Sequence, residues 1–146
     1  MRLLWIALLV LSTPAVAAEV GPCDTLDRVS YLVGQTKSYS AGKITTAHVD
    51  TDGEPVCCSA HLLVIIPGPE IGSQCFAISD KAGREDSSAR GFSNVAFDKI
   101  KASYDPQRGL LLTVPFTLYN DGRTGHPGQT KVRVDLRGEG SVKIER

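Results

Sequence analysis

The stretch from Val56 to Ser79, VCCSAHLLVIIPGPEIGSQCFAIS, constrains the fold of this chain more than any other. Leu62, Leu63, Val64, Ile65 and Ile66 form an unbroken apolar run, which suits a strand covered on both faces better than one with a wet side. The run is too short to span a membrane. It stops at Pro67-Gly68-Pro69, where two residues lack a backbone donor and the glycine permits positive φ. A reversal there predicts a returning strand over Gln74 to Ser79, with Cys75 near the height of Cys57 and Cys58.

The first 18 residues read as an export leader. Arg2 supplies the positive end, Leu3 to Leu11 the apolar stretch, and Ala15-Val16-Ala17 or Val16-Ala17-Ala18 the small-residue cleavage site. The apolar stretch falls well short of the ~20 residues of a spanning helix. Removal of residues 1–18 leaves 146 − 18 = 128 residues, 19–146, which is the size of one domain. Arg2 leaves with the leader, so 15 basic residues face 16 acidic ones in the remainder. A balance so near neutrality gives no footprint for nucleic acid or anionic lipid. Trp5 and Met1 leave as well, so the core is expected to be aliphatic with four Phe and four Tyr.

Cys23, Cys57, Cys58 and Cys75 all lie beyond the leader. An even number of cysteines in an exported chain reads as two disulfides. Neighbouring residues of a strand point to opposite faces, which argues against a bond between Cys57 and Cys58. The favoured pairing is Cys58 with Cys75 and Cys23 with Cys57. A metal site fits poorly, because Cys57 and His61 share a face yet stand ~13 Å apart along a strand.

The remaining segments alternate or turn as a β protein does. Residues 24–34 suit a short helix or a strand, and residues 35–42 a loop or an edge. Lys43 to Val49 is rich in β-branched residues and reads as a strand. Asp50-Thr51-Asp52-Gly53-Glu54 is a solvated connection that lacks the ligand spacing of a calcium loop. Phe92 to Tyr104 changes phase near Asp98 and Lys99, which predicts a bulge or two short strands. Asp105-Pro106-Gln107-Arg108-Gly109 is a strong turn signal. Leu110, Leu112, Val114, Phe116 and Leu118 then alternate inward. Pro115 cannot donate to a ladder, so this strand is expected at an edge or bulged. Val132, Val134 and Leu136, and after a Gly-rich turn Val142 and Ile144, predict a terminal hairpin. Together these elements predict an all-β domain, an antiparallel β-sandwich of seven to eight strands, with a small β-barrel as the alternative.

Function is less legible. The chain holds no nucleophile elbow, phosphate loop, zinc-protease motif or dinucleotide fingerprint. His48, His61 and His126 sit in separate segments without local partners. No catalytic, cofactor or metal residue is assigned, and no cofactor is expected. The polar loops Asp80 to Gly91 and Asn120 to Gln129 offer a candidate binding surface through Lys81, Arg84, Arg90, Arg123 and His126. The leading expectation is an exported, periplasmic or extracellular module that binds a protein or envelope component without catalysis. A small hydrolase or carbohydrate-active domain using His61, His126 and loop carboxylates is the second reading. A cysteine redox or metal carrier is the third.

Overall fold

The computed structural model describes residues 18–23, 33–51, 58–83, 88–119 and 125–145. Within them lie two antiparallel sheets and almost no helix. The first sheet contains β1 (Glu19–Pro22), β2 (Val33–Tyr39), β3 (Ile44–Asp50), β4 (Ala60–Pro67) and β5 (Ser73–Ser79), in the order β1-β5-β4-β3-β2. The second contains β6 (Asn94–Val95), β7 (Lys101–Asp105), β8 (Gly109–Tyr119), β9 (Gly125–Asp135) and β10 (Ser141–Glu145). Its order is β10-β9-β8-β6, with β7 also on β8.

The apolar run of β4 is buried on both faces, as its composition predicts. Leu62, Val64 and Ile66 enter a cluster that also takes Leu112, Val114, Phe116, Val132 and Val134 from the second sheet. On the opposite face of the first sheet, Leu63 joins Ala47, Val49 and Ala77 in a smaller cluster. In β8 burial alternates without a break from Leu110 to Leu118. The chain passes between sheets at Phe92 and Ser93. Phe92 exchanges both backbone hydrogen bonds with Ala60 at the start of β4, and the next amide, that of Ser93, donates to Thr117 on β8. Gly91 makes this crossing possible, since a Cβ there would lie 2.6 Å from the Ala60 carbonyl and 2.7 Å from that of Cys58.

The phase change near Asp98 resolves into two short strands, β6 and β7, separated by a 3₁₀ turn at Phe97–Lys99. Pro115 falls opposite that interruption. Here β8 differs from expectation, because it is a central strand. It tolerates proline because β6 pairs at Phe116 and Thr117 and β7 only up to Thr113, and between them Pro115 only accepts, its carbonyl taking the Ala96 amide at 3.0 Å. Residues 125–129, expected within a loop, already belong to β9, with His126 opposite Leu118.

One disulfide is described, Cys23–Cys75, with Cα atoms 5.6 Å apart. It corrects the favoured pairing, in which Cys75 bonds Cys58 and Cys23 bonds Cys57. The reason lies in the register. The β4–β5 hairpin sets Cys75 opposite Ile65, seven residues beyond Cys58 and so ~23 Å along the strand. The β1–β5 register sets Pro22 opposite Phe76 and delivers Cys23 beside Cys75. Cys58 is also in disulfide form. Cys57 lies outside the described residues, as do the leader through Ala17, most of residues 24–34, and the Asp52-Gly53-Glu54 connection.

Candidate functional site

The inward faces of β2 and β3 build a cleft against the Asn94–Lys99 segment of the second sheet. β3 alternates, so His48 shares a face with Ile44 and Thr46, and β2 sets Gln35 opposite His48 and Lys37 opposite Thr46. Gln35, His48, Asn94, Phe97, Asp98 and Lys99 line a cleft of about 500 Å³. The His48 ring stacks on Phe97, with centroids 6.3 Å apart and planes 27° from parallel. Lys37 donates from Nζ to the Phe97 carbonyl at 2.9 Å and stands 5.1 Å from the centre of the Phe97 ring. Gln35 Nε2 reaches Asp98 Oδ2 at 3.4 Å. These contacts fix the floor and both walls.

One atom of this arrangement is unsatisfied. The Nε2 of His48 is buried and has no hydrogen-bond partner. A buried polar nitrogen without a partner costs free energy in either tautomer, about 1–3 kcal/mol. This nitrogen lies beneath the surface of the cleft wall, and what the cleft offers an occupant is its exposed lining, Gln35, Asn94, Asp98 and Lys99. Among the described residues Asp98 engages Gln35, and no hydroxyl or thiol lines the space.

His61 and Ser79 present the opposite case. They are cross-strand neighbours of β4 and β5, and His61 Nδ1 lies 2.8 Å from Ser79 Oγ, the spacing of a base and its nucleophile. Both are buried, at 1% and 0% exposure. Desolvation holds the imidazole pKa at about 4, opposed by the nearby Asp50 carboxylate and reinforced by His48. The ring is thus neutral at physiological pH and satisfied by the serine. A hydroxyl with no exposed surface meets no substrate, so the pair works as a polar cross-link under the smaller apolar cluster.

Of the loop residues singled out from sequence, the structure brings Lys81 and Arg90 together. They exchange backbone hydrogen bonds, each 3.0 Å long, and close the base of the Asp80–Gly91 excursion. The Arg90 guanidinium is held by the nearly buried Asp80 through Nε, at 2.8 Å, and through Nη2. Ala82 donates its amide to Glu19 Oε2 at 2.9 Å. Lys81 is exposed at this base. His126 is exposed on β9, in the second sheet. Arg84 and Arg123 lie outside the described residues.

A smaller hollow of about 270 Å³ opens where the hairpin turns of both sheets meet. Ile44, Leu110 and Val134 form its floor, and Tyr104, Lys43 and Arg137 stand around it. Arg137 is engaged by Asp135, whose carboxyl is lowered to about 2 by hydrogen bonds from the Arg137 side chain and amide. The sequence singled out neither hollow, nor His48 and Phe97 as partners. Gln35 and Lys37 occupy a polar segment that carries no motif.

Among the described residues no three His, Cys, Asp or Glu side chains gather to hold a metal ion. No described helix is long and apolar enough to cross a membrane. No family model, curated protein or solved structure matches this chain.

Proposed function

We propose that this chain is an exported, non-enzymatic β-sandwich module that binds a protein or envelope component, and that the cleft at His48 is its binding site. The observation that carries the reading is the preformed cleft of about 500 Å³ that Gln35, His48, Asn94, Asp98 and Lys99 line beside Phe97. A preformed hollow with an aromatic floor and a few converging polar groups suits recognition. The sandwich assignment is supported by a main core cluster drawn from both sheets. Export is supported by the leader-like residues 1–17 and by a disulfide that an oxidising compartment would maintain. Ala18 is buried in the main core cluster, which favours cleavage after Ala17, the first of the two sites the sequence offers, one residue before the expected 19–146 boundary.

Affinity capture tests the reading. Mature protein, oxidised and immobilised, is exposed to envelope extract of the organism that makes it. Retention of one partner that saturates and is displaced by soluble mature protein supports binding. Retention that neither saturates nor competes speaks against it. The hydrolase reading is served poorly by His61, because the serine beside it is fully buried.

A further inference from the structure

We infer that the hollow among the hairpin turns is a second binding site, which takes one neutral sugar ring with Tyr104 as its stacking platform. It goes beyond the cleft reading and stands apart from it, since the two spaces share no lining residue.

Tyr104 breaks the burial pattern of its sheet. On β7 it lies directly opposite Leu110, and Ala102 lies opposite Leu112, so these four side chains share one face. Leu110 and Leu112 are buried on that face, at 4% and 0% exposure, yet Tyr104 is 67% exposed. The ring therefore belongs to the core side of the second sheet and is left uncovered there. It stands beside a hollow of about 270 Å³ whose floor is apolar.

The walls come from turns of both sheets. The β2–β3 turn brings Ser40 and Lys43, and the β9–β10 turn brings Leu136 and Arg137. Among the described residues, the side chains of Ser40, Lys43 and Tyr104 make no hydrogen bond or ion pair. Arg137 is held by Asp135 through Nε at 2.9 Å and Nη2 at 2.6 Å, which fixes the guanidinium plane beside the hollow.

Size, charge and polarity select the occupant. The hollow falls below the ~300–1,000 Å³ of sites for drug-sized ligands, so it has room for about one ring. Lys43 and Arg137 are offset by Asp135 and by Asp105, which lies close enough to Arg137 to act on its charge. With charge balanced, the site favours neither an anion nor a cation. The unengaged hydroxyls and ammonium at the rim call for a ligand rich in hydroxyl groups. The apolar floor and the uncovered aromatic ring call for C–H surface. A pyranose offers both, with hydroxyls around its edge and a face of C–H bonds that seats on the negative face of an aromatic ring. Polysaccharides built of such rings are among the envelope components that the proposed function admits.

Amide chemical-shift mapping on the mature chain tests this with neutral trisaccharides of glucose, galactose, mannose and N-acetylglucosamine. A galacturonate trisaccharide and decanoate serve as charged and apolar controls. At least one neutral trisaccharide should give saturable shifts centred on Ser40, Lys43, Tyr104 and Leu136. Tyr104→Ala should weaken that binding about tenfold, and Tyr104→Phe, which keeps the ring, by no more than about threefold. Because the side chain is exposed, both variants should keep the parent spectrum away from the hollow. Absence of shifts with every neutral sugar, or binding of galacturonate or decanoate alone, would overturn the inference. So would undiminished binding by Tyr104→Ala. Shifts centred on Asn94 and Lys99 would overturn it too, by assigning the sugar to the His48 cleft. Failure at the hollow leaves the cleft reading in place, because capture of a partner there involves none of these residues.

Discussion

Protonating His61 would put a charge at a position with 1% exposure, where its Nδ1 meets the Ser79 hydroxyl. Its pKa is lowered from 6.5 to about 4, so the unfolded chain binds the proton more tightly than the folded one between those values. The sign follows from linkage: the contribution is complete above pH 6.5 and is lost as pH falls toward 4, by about 3 kcal/mol at most. Urea midpoints measured from pH 7 to 4 should fall accordingly, and the His61→Leu variant should lose that dependence. Gly91 makes a second prediction at this scale. Any side chain there meets two carbonyl oxygens of the β4 approach at contact distances that Cβ atoms do not adopt. Gly91→Ala should cost about 1–3 kcal/mol in chemical denaturation. Gly42, a turn glycine with φ +85 and open space about it, provides a comparison in which strain alone acts.

The disulfide belongs to the scale of elements, because it ties β1 to β5 across 52 residues of sequence. Closing a loop of that length in the unfolded chain stabilises the fold by roughly 4 kcal/mol. The Cys23→Ser, Cys75→Ser double variant should lose about that much, read from thermal or urea unfolding of otherwise oxidised protein. This pairing was not legible in the residues. It depends on where the β4–β5 hairpin is centred, and the ladder continues to Pro67 and Ser73, farther than the proline signal suggests. The strands with strong alternation were legible, since Leu110 to Leu118 and Val132 to Val134 bury a set every second residue. β2 was not, because an edge strand with little buried surface carries neither alternation nor apolar content. The same physics hid the candidate site. Gln35, Lys37 and His48 look like scattered polar residues until two sheets bring them against Phe97.

As a whole the molecule is a disulfide-linked two-sheet scaffold in which the His61–Ser79 pair is sealed inside and the cleft at His48 opens between the sheets. No described cysteine is free. Protein purified without reductant and then denatured should therefore show no thiol reactive toward a disulfide reagent, and intact mass should place the first residue at Ala18. The mixed charge of the surface, 16 basic residues against 16 acidic in the full chain, gives no long-range steering, so specificity must come from local contacts such as those at the His48 cleft. That makes site-specific crosslinking the most direct measurement. A photoreactive amino acid is placed at Asn94 in the lining of the His48 cleft, and in a separate protein at Lys143 on β10, each expressed in the organism that makes the chain. A discrete covalent adduct is expected from Asn94, lost when excess free mature protein competes, and none from Lys143. Equal adducts from both positions, or none from Asn94, would contradict the binding reading.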